Sequence, residues 1–494
     1  MRFARAAAAL VALALGSACA APPPAVSPDL ADRIGRVERG LLTYHVVPGE
    51  AQGLPIEERM RFHRVPGVSV AVIDGGRIAW ARGWGETAAG SGVPVDTSTL
   101  FQAASISKPV AAAGALRLVE DGVLALDEDV NLRLRSWRVP ENRFTATEKV
   151  TLRRLLSHSA GTTVHGFPGY GAGVAPPSVV QVLEGGPPAN TAAVRVDTFP
   201  GSLWRYSGGG TTIVHLLMSD ASGRPFAELM RERVLEPAGM RHSTFAQPLP
   251  EARRARAAVA HRRDGTPVAG GHHSYPEQAA AGLWTTPSDL ARFAIEIQRA
   301  FAGEDGRILA PASARRMLAT EAGSYGLGFG VAGEGDGLWF MHGGANAGFQ
   351  SYLAAMAEGG KGVVVMTNGD AGGDLAQEIL RAVAREYGFD RFHATERAAV
   401  ALDPSALAGF AGEYVDAAPD APLLPVMTLR VDGAALRADV PRLGWTGRPL
   451  RSDPDGTFFF LDNRGELVFE RDGGGGVVAV TVSGLGQTVR LVRR

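Results

Sequence analysis

The chain has 494 residues, of which 45% are hydrophobic and 20% are charged, and its formal net charge is −1 at pH 7. A single hydrophobic core rarely grows beyond about 250–300 residues, so the length predicts two units, one of them large. A chain this close to neutrality gives no electrostatic reason to expect a nucleic acid partner, because binding phosphates needs a concentrated basic face.

Residues 1–20 have the features of a secretory leader. An apolar run follows Arg2 and Arg5, and it is too short to stay in a bilayer as a spanning helix. We therefore predict an exported protein of the periplasm or cell envelope. Cys19, the only cysteine, leaves two alternatives open. Cleavage after Ala20 would release a soluble protein, whereas a lipobox-like context would put a lipid anchor on Cys19.

The first structural elements are predicted from local patterns. Residues 21–54 form a linker and N-terminal segment, and the Pro-rich part, 21–30, is expected to be extended. Two apolar runs separated by a Gly-rich turn predict a β-hairpin over 68–84. A helical pattern follows over 107–121, and from about 125–300 helical stretches alternate with loops rich in Gly and Pro.

The large unit ends as it began, in strands. Apolar runs predict strands at 339–342, 350–356 and 362–367, and apolar residues at helical spacing predict a helix over 375–387. Strands therefore open and close this unit, which we place at residues 55–395. Its two ends must meet in one mostly antiparallel sheet with helices packed on it, an α/β fold of the α+β kind.

A second, all-β unit is predicted after residue 400. Its short β-rich runs are 412–415, 426–431, 435–440, 457–461, 466–470, 477–482 and 488–492. Evenly spaced short strands with turn signals between many of them indicate a small barrel or sandwich, which we place at 403–494.

One motif with chemical potential stands at the start of the predicted helix 107–121. Ser105 and Lys108 form a Ser-x-x-Lys motif in a chain that has few lysines. A lysine amine can lose a proton and accept another, whereas arginine stays protonated. At i and i+3 the hydroxyl and the amine share one helix face. The alternative is a serine that caps a helix, with a solvated lysine one turn further on.

Two further clusters could complete a site. In Tyr206-Ser207-Gly208, a tyrosine hydroxyl near a lysine can pass protons; the alternative is a half-buried tyrosine before a Gly-rich turn. In His342-Gly343-Gly344-Ala345, at the end of a predicted strand, the glycines would let a substrate lie against the strand edge. A backbone N–H there could point at an oxyanion. The alternative is a strand end with a satisfied histidine.

Together these motifs resemble class C β-lactamase-like serine hydrolases, a family that includes D-aminopeptidases, D,D-carboxypeptidases and esterases. The matching segments are Phe101–Lys108, Leu155–Gly161, Tyr206–Gly208, Pro237–Met240 and His342–Ala345. The resemblance covers about residues 55–390 and implies a DD-peptidase/β-lactamase-like fold, with a helical lobe beside the α/β lobe. The C-terminal strands, from Phe410–Tyr414 onward, resemble barrel domains appended to some of those peptidases.

The resemblance implies a role for each site residue. Ser105 would be acylated, and Lys108 and Tyr206 would move protons during acylation and deacylation. The backbone amides of Ser105 and Ala345 would form an oxyanion hole. His342, which we count with the catalytic set, stands where β-lactamases carry the lysine of a Lys-Thr-Gly motif. No cofactor is implied.

Two departures from the family pattern bear on the substrate. Gly208 replaces the usual asparagine of Tyr-x-Asn, and His342 replaces a permanent cation; with Gly343 and Gly344, Gly208 is expected to line the substrate site. Both departures argue against an efficient β-lactamase. We therefore predict acyl-enzyme hydrolysis of an ester or of a D-amino-acid amide or peptide, so the substrate is expected to be a small molecule or a peptide. A genuine β-lactamase or D,D-carboxypeptidase and a non-catalytic penicillin-binding-like scaffold stay open, as does the oligomeric state.

Two other patterns are given little weight. Ser157–Gly161 is close to a Gly-x-Ser-x-Gly nucleophile elbow, but that elbow follows a strand, and residues 151–156 look helical. His261, His272 and His273 could suggest a metal site, but no metal-binding spacing supports it. We therefore expect no metal.

Overall fold

The computed structural model describes residues 27–418, 423–433 and 435–494. The predicted leader and the lipid-anchor candidate Cys19 lie outside the described residues. Within the part that is described, no helix combines the length and the apolar character needed to cross a membrane.

The described chain begins with a helix, which corrects the expectation of an extended segment over 21–30 for its last residues. The helix starts at Pro28, because proline is compatible with the first helical turn, where its missing N–H is not needed. The Ser27 side chain accepts a hydrogen bond from the Leu30 N–H at 3.3 Å and so caps the helix.

Helices fill the middle of the larger unit. The α-helices of the described residues are α1 (Pro28–Glu38), α2 (Ile56–His63), α3 (Ser107–Glu120), α4 (Leu152–Leu156), α5 (Val179–Glu184), α6 (Gly208–Ser222), α7 (Phe226–Met230), α8 (Glu251–Arg254), α9 (Gln278–Ala281), α10 (Pro287–Phe301), α11 (Pro311–Leu318), α12 (Gly372–Tyr387) and α13 (Pro404–Ala408). The predicted helices over 107–121 and 375–387 are confirmed as α3 and α12.

Strands precede and follow these helices. They are β1 (His45–Val46), β2 (Gly67–Asp74), β3 (Arg77–Gly85), β4 (Phe101–Gln102), β5 (Trp284–Thr285), β6 (Gly330–Ala332), β7 (Trp339–Asn346), β8 (Phe349–Met356), β9 (Gly362–Thr367), β10 (Thr395–Glu396), β11 (Gly412–Asp416), β12 (Val426–Asp432), β13 (Ala435–Val440), β14 (Trp445–Ser452), β15 (Phe458–Phe460), β16 (Glu466–Arg471), β17 (Val477–Ser483) and β18 (Val489–Arg493).

One six-stranded antiparallel sheet forms the centre of the larger unit, in the order β3-β2-β9-β8-β7-β6. The predicted hairpin is confirmed as β2 and β3, and β2 pairs with β9, with Val68 opposite Thr367. The early and late strands therefore meet in one sheet, as expected. Strand β7 is longer than predicted, because it continues past His342 and stays paired with β8 as far as Asn346.

Helices cover both faces of this sheet. Val68, Val70 and Val72 of β2 face a core that they share with α1, α2 and α12. Ala71 and Ile73 face the other core, which contains α3 and α10. Successive strand residues point to opposite faces, so a strand covered on both faces is apolar at nearly every position. The helices α3 to α9, between β4 and β5 in the sequence, include the predicted helical lobe.

The C-terminal strands β11 to β18 form a closed antiparallel barrel in sequence order. All seven predicted runs correspond to strands, and the structure decides for a barrel over a sandwich. The strand that the prediction missed is β14. Gly447, at φ +64°, and Pro449 interrupt its sequence pattern, and both residue types are uncommon inside strands.

The barrel packs on α12 and α2 through buried charges. Arg448 of β14 is bonded to Asp462 and lies 3.1 Å from an Asp374 oxygen at the start of α12. Its guanidinium also lies 5.1 Å from the centre of the Phe62 ring. Beneath this contact, Arg59 of α2 donates two hydrogen bonds to Glu378 of α12, at 2.6 and 2.8 Å.

The N-terminal segment lies between the two units. Strand β1 pairs in parallel with β10, with His45 opposite Thr395, and the His45 N–H donates to the carbonyl of Leu461 in the barrel at 2.8 Å. The connection between the units is therefore held by backbone hydrogen bonds on both sides.

Candidate active site

The Ser105 side chain stands on a tight turn that links β4 to α3. Ala104–Ile106 form a single 3₁₀ turn, and Ala104 has a φ of +49°, which a residue with a side chain rarely adopts. Such strain persists where the surroundings enforce it, often at functional sites. The turn is held from below, because Ser107 Oγ accepts a hydrogen bond from the Leu283 N–H at 3.0 Å. Ser105 itself is partly exposed.

Lys108 lies beneath Ser105 in the first turn of α3. Its side-chain nitrogen is 2.9 Å from Ser105 Oγ and donates to the Ala280 carbonyl of α9 at 2.8 Å. The residue is only 4% exposed. A buried amine that contacts a hydroxyl and a neutral carbonyl, and no carboxylate of the described residues, is well placed to exchange a proton with that hydroxyl.

Tyr206 forms the next wall of the cleft. The Lys108 nitrogen lies 4.9 Å from the centre of its ring. Tyr206 directly precedes α6, whose N-cap Ser207 accepts from the Gly210 N–H at 2.9 Å and donates to the Thr163 carbonyl at 2.7 Å. These bonds fix the backbone from which the half-buried tyrosine projects.

His342 lies across the cleft from Tyr206 on β7, with 6.1 Å between the ring centres. Its Nδ1 donates to the Gly343 carbonyl at 2.6 Å, so Nε2 carries no proton in the neutral ring. Nε2 is buried and has no partner among the described residues. Burial, together with the positive charge of Lys108, lowers the pKa of His342 to about 3. The imidazole is therefore neutral at physiological pH.

The glycines after His342 let β7 lie against the nucleophile turn. A Cβ on Gly344 would stand 2.1 Å from the Ala103 carbonyl oxygen, so only glycine fits there. Ser351 of β8 donates to the same carbonyl at 2.9 Å. Gly343 and Ala345 are exposed and alternate with buried neighbours. The segment thus lies within a paired strand, not at the strand end that the sequence predicted.

Gly208 has a packing role in the structure. It is buried at the first position of α6, and its N–H donates to the His165 carbonyl at 3.0 Å. An added Cβ would stand 3.0 Å from the ring of Phe167 and 3.1 Å from the same carbonyl. Its expected place in the substrate site stays a prediction.

Two residues of the cleft were not predicted as site residues from the sequence. His158 packs its ring 4.4 Å from that of Tyr206, and its Nδ1 accepts from the Ser207 N–H at 3.2 Å. Tyr325 lies 6.1 Å from the His342 ring and donates to the Gly328 carbonyl at 3.0 Å. Burial, with the nearby Tyr206, raises the pKa of Tyr325 well above its usual range. His158 had a signal, since it stands in the motif Leu155–Gly161.

That motif does not form a nucleophile elbow. The segment before it is helix α4, capped by Thr151, where the elbow needs a strand. Ser159 is buried and shares a hydrogen bond of 2.9 Å with Ser157 Oγ.

The three histidines considered for a metal are bound elsewhere. His261 contacts the Asn368 carbonyl through Nδ1, at 3.0 Å, and accepts from the Ala89 N–H through Nε2. His273 contacts the Pro168 carbonyl through Nδ1, and His272 packs on Trp284.

The fold and the cleft define a class: a serine hydrolase with the architecture of penicillin-binding proteins and β-lactamases. The sequence profile of the family described as Beta-lactamase matches residues 56–387. The chain belongs to this family.

Individual relatives lie within the same class. "Penicillin-binding protein 4" of Amycolatopsis lactamdurans is 29% identical over 344 residues, which is 66% of this chain and 86% of that protein. "Esterase EstB" of Burkholderia gladioli is 29% identical over 305 residues, 56% of this chain and 76% of that protein. The "octameric penicillin-binding protein homologue from Pyrococcus abyssi" has a TM-score of 0.60 at 20% identity, over 89% of this chain and 98% of that structure. This last likeness concerns the fold alone.

Proposed function

We propose that the protein hydrolyses a carboxylic ester, or a D-amino-acid amide or peptide, that has no free carboxylate, through an acyl-enzyme on Ser105. The observation that carries the proposal is the contact of 2.9 Å between the buried Lys108 nitrogen and Ser105 Oγ. An adjacent amine is what a serine hydroxyl needs to become a nucleophile.

The steps follow from this contact. As Ser105 Oγ attacks the substrate carbonyl carbon, its proton passes to the neutral amine of Lys108, directly or through the Tyr206 hydroxyl. The proton then goes to the leaving group as the carbonyl–leaving-group bond breaks. In the second half, water attacks the acyl carbon and gives one proton to the same base. The bond between the acyl carbon and Ser105 Oγ then breaks, the base returns its proton to Oγ, and the carboxylic acid is released.

The backbone N–H groups of Ser105 and Ala345 are proposed to bind the oxyanion in both halves. The nucleophile turn and β7 lie side by side at Gly344, which supports this assignment. In enzymes that transfer acyl groups, removing one oxyanion-hole donor typically slows the reaction about 10²–10³-fold.

Electrostatics support a substrate without a carboxylate. His342 is neutral, and Arg205, next to Tyr206, is bonded to Asp197 and to the Gly161 carbonyl. Lys108 acts as a neutral base in the proposed mechanism and already contacts Ser105 Oγ and the Ala280 carbonyl, so it offers no fixed positive charge to a substrate carboxylate. β-Lactams and D-Ala-D-Ala peptides carry a carboxylate, which would lack a cationic partner in this cleft. Simple esters and D-aminoacyl amides carry no carboxylate and so avoid this cost.

We also propose that the protein is exported and acts in the periplasm or cell envelope. We assign residues 55–395 to the hydrolase domain and 403–494 to an accessory domain. Residues 1–20 are proposed as the export leader, with release after Ala20 or retention by a lipid on Cys19 as the two outcomes of processing.

A substrate panel tests the proposal. The purified mature protein is incubated with p-nitrophenyl butyrate, D-alanyl p-nitroanilide, a D-Ala-D-Ala peptide and nitrocefin, with Ser105→Ala as the control. We expect turnover of the ester or the anilide, lost in the variant, and an acyl adduct on Ser105 by mass spectrometry. Turnover that survives in Ser105→Ala would refute the nucleophile. Preferred turnover of nitrocefin or the D-Ala-D-Ala peptide would refute the proposal that the substrate has no carboxylate.

A further inference from the structure

His158 is a buried residue in an unusual backbone conformation beside Tyr206. It is 3% exposed, and its φ is +57°, in the left-handed region that non-glycine residues seldom adopt. It follows α4 by two positions and lies in none of the reaction steps described above. Such a conformation persists only where several contacts hold it.

His158 is hydrogen-bonded to the backbone of both residues that flank Tyr206 in the sequence. The His158 carbonyl accepts from the Arg205 N–H at 2.8 Å, and its ring Nδ1 accepts from the Ser207 N–H at 3.2 Å. The backbone N–H groups of the two residues that flank Tyr206 are thus bonded to one and the same residue.

The rings are in contact as well. The imidazole of His158 and the ring of Tyr206 have centres 4.4 Å apart and planes tilted by 40°. On the other side, the Tyr325 ring lies 4.9 Å from the imidazole. Two backbone bonds and one ring contact together restrict where the Tyr206 hydroxyl can stand.

The hydrogen bond to Ser207 also fixes the protonation state of the ring. Nδ1 accepts, so it carries no proton, and the single ring proton is on Nε2. Burial lowers the pKa of His158 well below its usual range, and the charge of Lys108 lowers it further, as do the nearby His342 and His165. A doubly protonated ring would point an N–H at the Ser207 N–H and lose the bond.

We propose that His158 is the positioning residue of the reaction: it holds Tyr206 where its hydroxyl can exchange a proton with Ser105 and Lys108. The inference rests on the proposed function, because it gives Tyr206 a part in proton transfer. A misplacement of about 1 Å in such a group can slow a reaction about 10²-fold.

Two substitutions separate the contacts. His158→Phe keeps an aromatic ring against Tyr206 but has no acceptor for the Ser207 N–H. His158→Asn keeps an acceptor oxygen in place of Nδ1 but has no ring. We expect kcat per folded molecule to fall about 10–100-fold in His158→Phe, with KM within about threefold, and to fall less in His158→Asn. A wild-type kcat in His158→Phe would overturn the proposal.

Tyr206→Phe supplies the decisive comparison. If His158 acts through the Tyr206 hydroxyl, His158→Phe should cause no further loss of kcat once that hydroxyl is gone. An equal loss in both backgrounds would overturn the positioning role while leaving the proposed function intact. Activity that persists in Ser105→Ala would instead overturn the proposed function itself.

The chain offers a matched control for general damage to the core. His215 of α6 is also buried, and its ring lies 4.4 Å from that of Phe226 with a tilt of 43°. The His215 Nδ1 has no hydrogen-bond partner among the described residues, so this atom fixes no neighbouring backbone group. His215→Phe should alter thermal stability but leave kcat unchanged. If it lowers kcat as much as His158→Phe does, the loss comes from packing alone and the proposal fails.

Discussion

Two buried polar clusters of this protein are organised in opposite ways. At the contact between the barrel and the larger unit, Arg448 lies between Asp462 and Asp374, and Arg59 is bonded twice to Glu378. In the cleft, the Lys108 side-chain nitrogen contacts two neutral groups, Ser105 Oγ and the Ala280 carbonyl. Pairing lowers the free energy of buried charges and holds them still, whereas groups that lack a partner stay available to a substrate.

The carboxylates show the same contrast. Burial would raise the pKa of Glu378, but the contacts with His63 and Arg59 outweigh it and lower that pKa to about 2. Glu277 directly precedes α9, the helix whose Ala280 carbonyl accepts from Lys108, and burial raises the pKa of Glu277 to about 7. Neither Glu277 oxygen has a partner among the described residues. The interface thus pairs its buried charges, whereas the cleft and the residue before α9 have buried polar atoms without a partner among the described residues.

The largest effect is expected where the cleft loses its base. Lys108→Arg retains the positive charge but cannot give up its proton, so kcat should fall by at least about 10³-fold. Steady-state kinetics on the best substrate of the panel measure the loss, and circular dichroism checks that the variant is folded. A rate within tenfold of wild type would contradict the proton-transfer role.

The interface should respond in stability and not in rate. Arg448→Ala would leave Asp462 buried without its partner, at a loss of about 3–5 kcal/mol in the free energy of unfolding. Urea denaturation measures this, and kcat of the folded fraction should not change. As control, Arg490→Ala removes the exposed pair Arg490–Glu470 on the barrel and should have no measurable effect. Equal effects of the two variants would refute the contrast.

Glu277 should couple stability to pH. Its pKa is higher in the folded chain, about 7, than the ordinary 4.5, so the folded state binds the proton more tightly. Its contribution is complete below pH 4.5 and is lost as the pH rises to about 7, a change of about 3 kcal/mol. Urea denaturation from pH 4 to 8 should show Glu277→Gln gaining stability relative to wild type across this window. A constant difference would contradict the shift.

The smallest effect is expected for Tyr325→Phe. Tyr325 keeps its proton, because burial and Tyr206 raise its pKa, and its hydroxyl is already bonded to the Gly328 carbonyl. Loss of that bond should lower the free energy of unfolding by about 1 kcal/mol, with kcat within about threefold of wild type. A loss of kcat as large as that of Tyr206→Phe would place Tyr325 in proton transfer.

The sequence predicted those parts of the fold that local patterns determine. Strands β2, β3, β8 and β9 have apolar residues at alternate or at successive positions, because one or both of their faces are buried. Helix α12 has apolar residues at helical spacing. The predicted strand was shorter than β7, because glycines argue against a strand. Strand β14 was missed for a similar reason, since it contains a glycine and a proline. In β7 the decisive fact is the approach of Gly344 to the Ala103 carbonyl, a contact between residues 241 positions apart that no local pattern contains.

The candidate site shows the same limit. The Ser-x-x-Lys spacing predicted that Ser105 and Lys108 share a helix face, and the two side chains do meet. The neutral state of His342 and the hold of His158 on Tyr206 depend on burial and on partners from distant segments. Residues 155–161 drew attention as part of a resemblance and as a near match to a nucleophile elbow, but not for His158, because the sequence does not say which backbone N–H groups a histidine will reach.

The pairing of β1 with β10 has a practical consequence for anyone who trims the chain. A protein that started at residue 56, where the family match begins, would retain Ser105, Lys108, Tyr206 and His342. It would lack the backbone bonds from residues 45 and 46 that fasten the connector and the barrel. Helix α1, which lies over α12 through the contacts of Arg36 with Glu386, would go too. Such a truncated enzyme should keep its reaction centre yet expose an apolar face of α12, and so aggregate more readily than the longer chain.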